Sequence, residues 1–181
     1  MSIRVAGKYG FSRSPMVKLF DQTLAATGRF DVTGLPPSFT TLLLYAQIRS
    51  DVVATNDLVL VFFNGDTTDA NYRRVQHTAG SGGHTAGEAD DRRANISTAA
   101  SSPANYFTHT EMILPMYSTL NSTKTMYTFT ARREDAIRFD KRNYALHWEN
   151  TSAISQITVQ PDGFAGDEFV INSRLAIYGV Y

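Results

Sequence analysis

Apolar side chains recur at every second position through much of this chain, the period of strands with one face buried. Across 41–49, Leu42, Leu44, Ala46 and Ile48 share one face while Thr41, Gln47 and Arg49 point away. Tyr127 and Phe129 share a face of 123–131, and Tyr144, Leu146 and Trp148 share one of 142–149. Phe169, Ile171, Leu175 and Ile177 lie on one parity, with Asn172 and Arg174 opposite. The run 58–63 is continuously apolar and bounded by Asp57 and Asn64, which suits a central strand covered on both sides. Further strands are expected at 17–24, 30–33, 71–77, 106–114 and 154–160, and Thr, Val, Tyr and Phe dominate the set, as pleated half-buried surfaces favour. Only 114–121, around Pro115, offers room for one short helical turn. With roughly eight to ten strands and turn residues between them, the pattern predicts an all-β fold. The expected form is a two-sheet antiparallel sandwich, best matched by a jelly roll, which limits exposed edges.

Two segments fall outside the alternation. Residues 1–15 read as an extended N-terminal arm ahead of a β-sandwich domain at 16–181. The arm carries Arg4, Lys8 and Arg13 with no acidic residue before Asp21, and glycines and Pro15 interrupt any helical period. Such a terminus is either a solvated tail or an anchor lying across a neighbouring subunit. Tyr9 and Phe11 suit the anchor, because aromatics on a tail gain something only when buried. The second segment, about 78–104, is rich in Gly, Ser and Ala and holds Glu88, Asp90, Asp91, Arg92 and Arg93 at its centre. It reads as a long loop, either a mobile excursion or one ordered by a neighbouring subunit. The candidate partner-binding residues are therefore Arg4, Lys8, Tyr9, Phe11, Arg13, Arg92 and Arg93.

Composition narrows the functional classes. A chain of 181 residues, 43% hydrophobic and 19% charged, is long enough to bury a core without disulfides or metals. Its formal net charge of zero provides no global field for nucleic acid or anionic lipid. There is no cysteine, which removes thiol chemistry and Cys-ligated zinc. No segment has the apolar length of a membrane span or a signal peptide, so a soluble protein without membrane partners is expected.

The search for chemistry finds little. His77, His84, His109 and His147 form no HxH, HxxH or HExxH spacing, so no metal ligand set is expected. Adjacent acids (Glu134–Asp135, Asp167–Glu168) would face opposite ways on strands and could not clamp one glycosidic bond. Residue counts permit a Ser–His–Asp arrangement, but there is no GxSxG elbow and no phosphate-cradling glycine motif. Asn64-Gly65-Asp66-Thr67 is a tight-turn signal whose oxygens, with Asp69, could also meet calcium, though it lacks the spacing of an EF-hand loop. Three N-glycosylation sequons begin at Asn95, Asn121 and Asn150, and carry little weight without a secretory signal. Tyr45 and Tyr117 are candidate surface contacts for a ligand such as sugar, whereas Trp148 belongs to a core stripe. No enzyme and no cofactor are expected.

Four stretches together resemble a β-sandwich module of tailed-phage virion surface proteins, found in capsid decoration and tail-fibre or receptor-binding proteins. They are Phe30-Asp31-Val32-Thr33-Gly34-Leu35-Pro36 with Phe39-Thr40-Thr41-Leu42; Phe62-Phe63-Asn64-Gly65-Asp66-Thr67 with Asn71-Tyr72; Trp148 through Val159; and Ser173 through Val180, similar to that module's "S…LYGI" endings. Their order spans about 20–181. The module's usual short aromatic tract is here Ile113-Leu114-Pro115-Met116-Tyr117. The resemblance implies a non-enzymatic virion protein, assembled in the host cytoplasm and usually oligomeric. It carries over no catalytic residue. A capsid decoration or cement protein, binding capsid or other virion neighbours and forming trimers, is the expected role. The alternative is a tail-fibre or receptor-binding tip recognising a host surface glycan, but such tips usually follow a collagen-like or coiled-coil stalk, and the chain has neither.

Overall fold

The computed structural model describes residues 16–80, 83–133, 139–162 and 166–181. The arm at 1–15, with Arg4, Lys8, Tyr9, Phe11 and Arg13, lies outside them, as do Glu134 and Asp135.

Twelve strands are formed among the described residues, with one three-residue 3-10 turn at Asp69–Asn71 and no α-helix. In chain order they are β1 Met16–Thr23, β2 Phe30–Thr33, β3 Thr41–Ile48, β4 Asn56–Phe63, β5 Tyr72–Gly80, β6 Gly83–Ala89, β7 Arg93–Thr98, β8 Thr108–Pro115, β9 Lys124–Arg133, β10 Phe139–Trp148, β11 Gln156–Pro161 and β12 Arg174–Val180. They build an eight-stranded sheet, ordered β1-β12-β3-β8-β9-β10-β5-β6, and a four-stranded sheet, ordered β2-β11-β4-β7. All strand pairings within both sheets are antiparallel, and the two sheets pack as a jelly-roll-like sandwich.

The core lies where the alternation points inward. Leu42, Leu44, Ala46 and Ile48 of β3 are buried, and Met112, Leu146, Trp148, Leu175 and Ile177 extend that layer on the same sheet. Phe30, Val59, Val61, Phe63, Ile157 and Val159 meet it from the smaller sheet. β4 sits between β11 and β7, with Val59–Phe63 buried on both faces, as its unbroken apolar run requires.

The resembling stretches coincide with the devices that fix this fold. Asn64 and Gly65 both adopt positive φ (52° and 73°), the conformation a tight two-residue turn requires. The Asp66 carboxylate then accepts from Trp148 Nε1 at 2.8 Å, Asn71 Nδ2 at 2.9 Å and the Thr68 amide at 3.1 Å. Asn64 Oδ1 accepts from the amides of Ser155 (2.9 Å) and Gln156 (3.1 Å), while its Nδ2 donates to the Ala153 carbonyl at 2.8 Å. Tyr72, stacked on Trp148, donates its hydroxyl to the Asp66 carbonyl and accepts from the Phe63 amide. The oxygens weighed for calcium thus knot β4 to β10 and to the 153–156 segment. Near the other end, a Cβ on Gly179 would lie 2.5 Å from the Phe39 ring, so the Tyr-Gly ending of β12 leaves room for that ring.

The expectation of one long loop at 78–104 is corrected: the end of β5, all of β6 and all of β7 occupy it. β6 has no apolar alternation and joins through its backbone ladder to β5 alone. β7 buries Ala94–Thr98, pairing with β4 and offering Asn95 to the opposite sheet. What remains of the loop is ordered from within the chain. Arg49 donates to the carbonyls of Pro103, Tyr106, Ala100 and Ser102 at 2.8–3.2 Å.

The inner face of β9 departs from the expected pattern as well. Tyr127 and Phe129 do share a face, but it is the outward one, 45% and 43% exposed. Thr128, Thr130 and Arg132 point inward with Met126. Thr130 and Thr110 bond the Asn95 amide of β7, and Arg132 pairs with Asp140 of β10 at 3.2 Å, so polar residues at this end of the core are met by partners on β7 and β10.

Asp57, on β4, is a half-buried carboxylate with a pH consequence. Burial pushes its carboxyl up to about 6, the charges of Asp162 and Asp167 add to the rise, and its Oδ2 has no hydrogen-bond partner among the described residues. A folded pKa above the unfolded one means this group favours the fold below about pH 4 and loses that contribution as pH rises through about 6. Asp57→Asn is expected to melt higher than the parent at pH 7 and to show little gain at pH 4, as thermal unfolding at the two pH values will reveal.

Candidate functional site

The outer face of the eight-stranded sheet carries the most unusual surface. Register places Tyr178, Leu43, Ile113, Tyr127, Ala145 and Val75 opposite one another on six successive strands, β12 through β5. Directly opposed residues of antiparallel strands share a face, so this is one continuous apolar row. Lys18 on β1 extends it at one end and Glu88 on β6 at the other. The next row holds Ala176, Tyr45, Glu111, Phe129, Asn143 and His77, and the third holds Arg174, Gln47, His109, Ala131 and Lys141.

The rows enclose a shallow groove of about 660 Å³, walled by Tyr45, Tyr178 and Phe129, with Glu111, His109 and Lys141 among its polar residues. The Tyr45 and Tyr178 rings meet edge to face at 6.0 Å. The Tyr45 hydroxyl reaches Glu111 Oε1 at 3.4 Å, and burial, reinforced by the Glu111 charge, raises that phenol above its ordinary pKa. At the β1 side, Arg174 holds Asp21 through two bonds of 2.9 Å and draws its carboxyl down to about 2. No other described strand packs on this face; β7 contacts β8, β9 and β10 from the inner side.

Of the described residues singled out from the sequence, Tyr45 and His109 line this groove and the others fall elsewhere. Arg92 pairs with Asp69 at 2.7 Å and lies over the Phe62 ring at 5.5 Å. Arg93 bonds Asp162 at 2.5 Å and Asp91 at 3.5 Å. Both hold β7 to its own chain. Tyr117 is fully buried, with its hydroxyl donated to the Pro36 carbonyl, so it is not a surface contact; Tyr45 is 41% exposed and stands in the groove. His147 bonds Thr125 at 2.9 Å, and Asn95 of the first sequon is wholly buried. Among the described residues no group of three His, Asp or Glu side chains converges as a metal site, and no helix is long and apolar enough to cross a membrane.

No family model, no curated protein and no solved structure matches this chain. Sequence reasoning found Tyr45 but assigned Tyr127 and Phe129 no surface role, because the polar alternation Thr128, Thr130, Arg132 on the opposite parity reads from sequence as the outward face.

Proposed function

We propose that this protein is a non-enzymatic structural protein of a phage virion, a capsid decoration or cement protein that works by association with neighbouring virion subunits. The observation that carries the reading is the apolar face of the large sheet that no described strand covers, with Tyr45, Tyr127, Phe129 and Val75 each 41–55% exposed. A contiguous apolar patch on a folded domain marks an interaction surface, whereas scattered single residues do not. The resemblance to virion modules supports the setting, and the stretches that carry it serve the fold itself. In this role the domain adds buried area between subunits and raises the temperature or force that separates them. The arm, with Arg4, Lys8, Tyr9, Phe11 and Arg13, is the anchor in this proposal. Imaging of purified particles with the tagged chain tests the placement: density over capsomer junctions is expected, and its absence from the head contradicts the role.

A second reading is favoured by one feature, the Tyr45–Tyr178 edge beside Glu111, since aromatic rings next to a hydrogen-bonding carboxylate suit a pyranose ring. As a receptor-binding tip the protein would show saturable binding on an array of host surface glycans; the decoration role expects none.

A further inference from the structure

We propose that the outer face of the eight-stranded sheet is covered by the same face of a second copy of this chain, in a two-fold contact whose axis runs parallel to the strands between β8 and β9. The inference rests on the association role argued above and names the partner of that surface.

Register carries it. A two-fold axis along the strands reverses the order of strands in the facing copy while keeping each row at its own level. The apolar row then meets itself backwards. Lys18 faces the partner's Glu88, Tyr178 faces the partner's Val75, Leu43 faces the partner's Ala145, and Ile113 faces the partner's Tyr127. Every charge in the row meets its opposite, and large side chains meet small ones at two of the apolar positions. In the second row Glu111 lands beside the partner's Phe129, and Tyr45 beside the partner's Asn143, a polar match for its hydroxyl. In the third, Gln47 faces the partner's Lys141 and His109 the partner's Ala131. No row opposes like charges.

The size is sufficient. Eight strands span about 34 Å across the ladder and three rows with their side chains about 20 Å along it. That gives roughly 700 Å² per copy, close to the ~800 Å² per partner of a standard interface. Twisted sheets stack at about 30°, and the flexible Lys18 and Glu88 side chains at the margins can follow that angle. Lys18 is only loosely engaged at home, 3.3 Å from an Asp21 that Arg174 already holds through two shorter bonds. A three-fold assembly, the arrangement expected of jelly rolls, would use other surfaces, such as the outermost strands β1 and β6.

The test is sedimentation of the full chain at low and moderate salt, with circular dichroism to check each variant's fold. The parent is expected to be a dimer. Ile113→Glu, at an outward position beside the axis, is expected to be a folded monomer. Lys18→Glu and Glu88→Lys should each weaken dimerisation by about 10-fold or more at low salt, because each single change puts like charges together twice per dimer. Combining the two should restore it. A parent that stays monomeric at ~100 µM, including one whose outer face is protected by residues 1–15, overturns the proposal. So does an oligomer of any order that Ile113→Glu leaves intact, or a failure of the double reversal to rescue. Dimerisation in solution without any trace of the protein on particles would uphold this contact and sink the virion role, so the two failures are distinct.

Discussion

Asp91→Ala is expected to cost about 3–5 kcal/mol, the loss typical of breaking a buried ion pair from one side. Arg74 is 9% exposed and grips Asp91 through Nε at 2.7 Å and Nη2 at 2.9 Å. The same carboxylate accepts the Arg93 amide at 3.0 Å and so fixes the start of β7. Without it, a guanidinium stays in the interior with no carboxylate opposite it, and β7 loses its register against β4. For a chain of this length the melting temperature should fall by about 10 °C or more. Replacing both partners, Arg74→Met with Asp91→Ala, should recover much of the loss, since a packed apolar side chain has no charge to desolvate. Differential scanning calorimetry of the single and double variants decides. A neutral single variant would mean that the ion pair is not what orders the 90–93 turn.

Asp66→Ala is the second large effect, expected to lower stability by about 2–4 kcal/mol through three donors left without an acceptor: Trp148 Nε1, Asn71 Nδ2 and the Thr68 amide. The denaturant midpoint should fall while the slope stays constant, since the surface exposed on unfolding is unchanged. Asp66 also has a pH signature. Burial pushes its carboxyl up, but the bonds from Trp148, Asn71 and Thr68 outweigh it and hold the group below the usual range. A folded pKa below the unfolded one gives stability that is present above about pH 4 and is lost in acid as the group protonates. The parent should therefore lose part of its margin over Asp66→Ala as pH falls from 5 to 2. Asp57 acts in the opposite direction, so Asp57→Asn and Asp66→Ala should change the pH profile with opposite slopes.

The same residues explain how far the sequence could be read. Alternation at β3 and β10 was plain because one face is apolar and the other is wet, and the unbroken run of β4 required cover on both sides. β9 misled, because the residues that look like core, Tyr127 and Phe129, face out, while Thr128, Thr130 and Arg132 face in. The partners that make this tolerable, Asn95 and Asp140, lie 35 residues from Thr130 and 8 from Arg132, and no local pattern announces such pairings. β6 and β7 were hidden for related reasons. Gly, Ala and Thr give β6 almost no hydrophobic period, and the charges of 90–93 resemble a solvated tip although most are paired inside the molecule. The candidate partner residues Arg92 and Arg93 belong to that clamp, and the associating surface emerges only when sheet order brings β12, β3, β8, β9, β10 and β5 side by side.

The role of that surface is tested most directly by counting the copies bound to particles. Particles assembled with Tyr45→Ser/Phe129→Glu, a pair of outward changes that should leave the melting temperature within about 2 °C of the parent, are compared with parent particles for copies bound per capsid. Loss of the variant from otherwise intact particles is the predicted result. Parent-level occupancy by the folded variant would contradict the role assigned to the outer face.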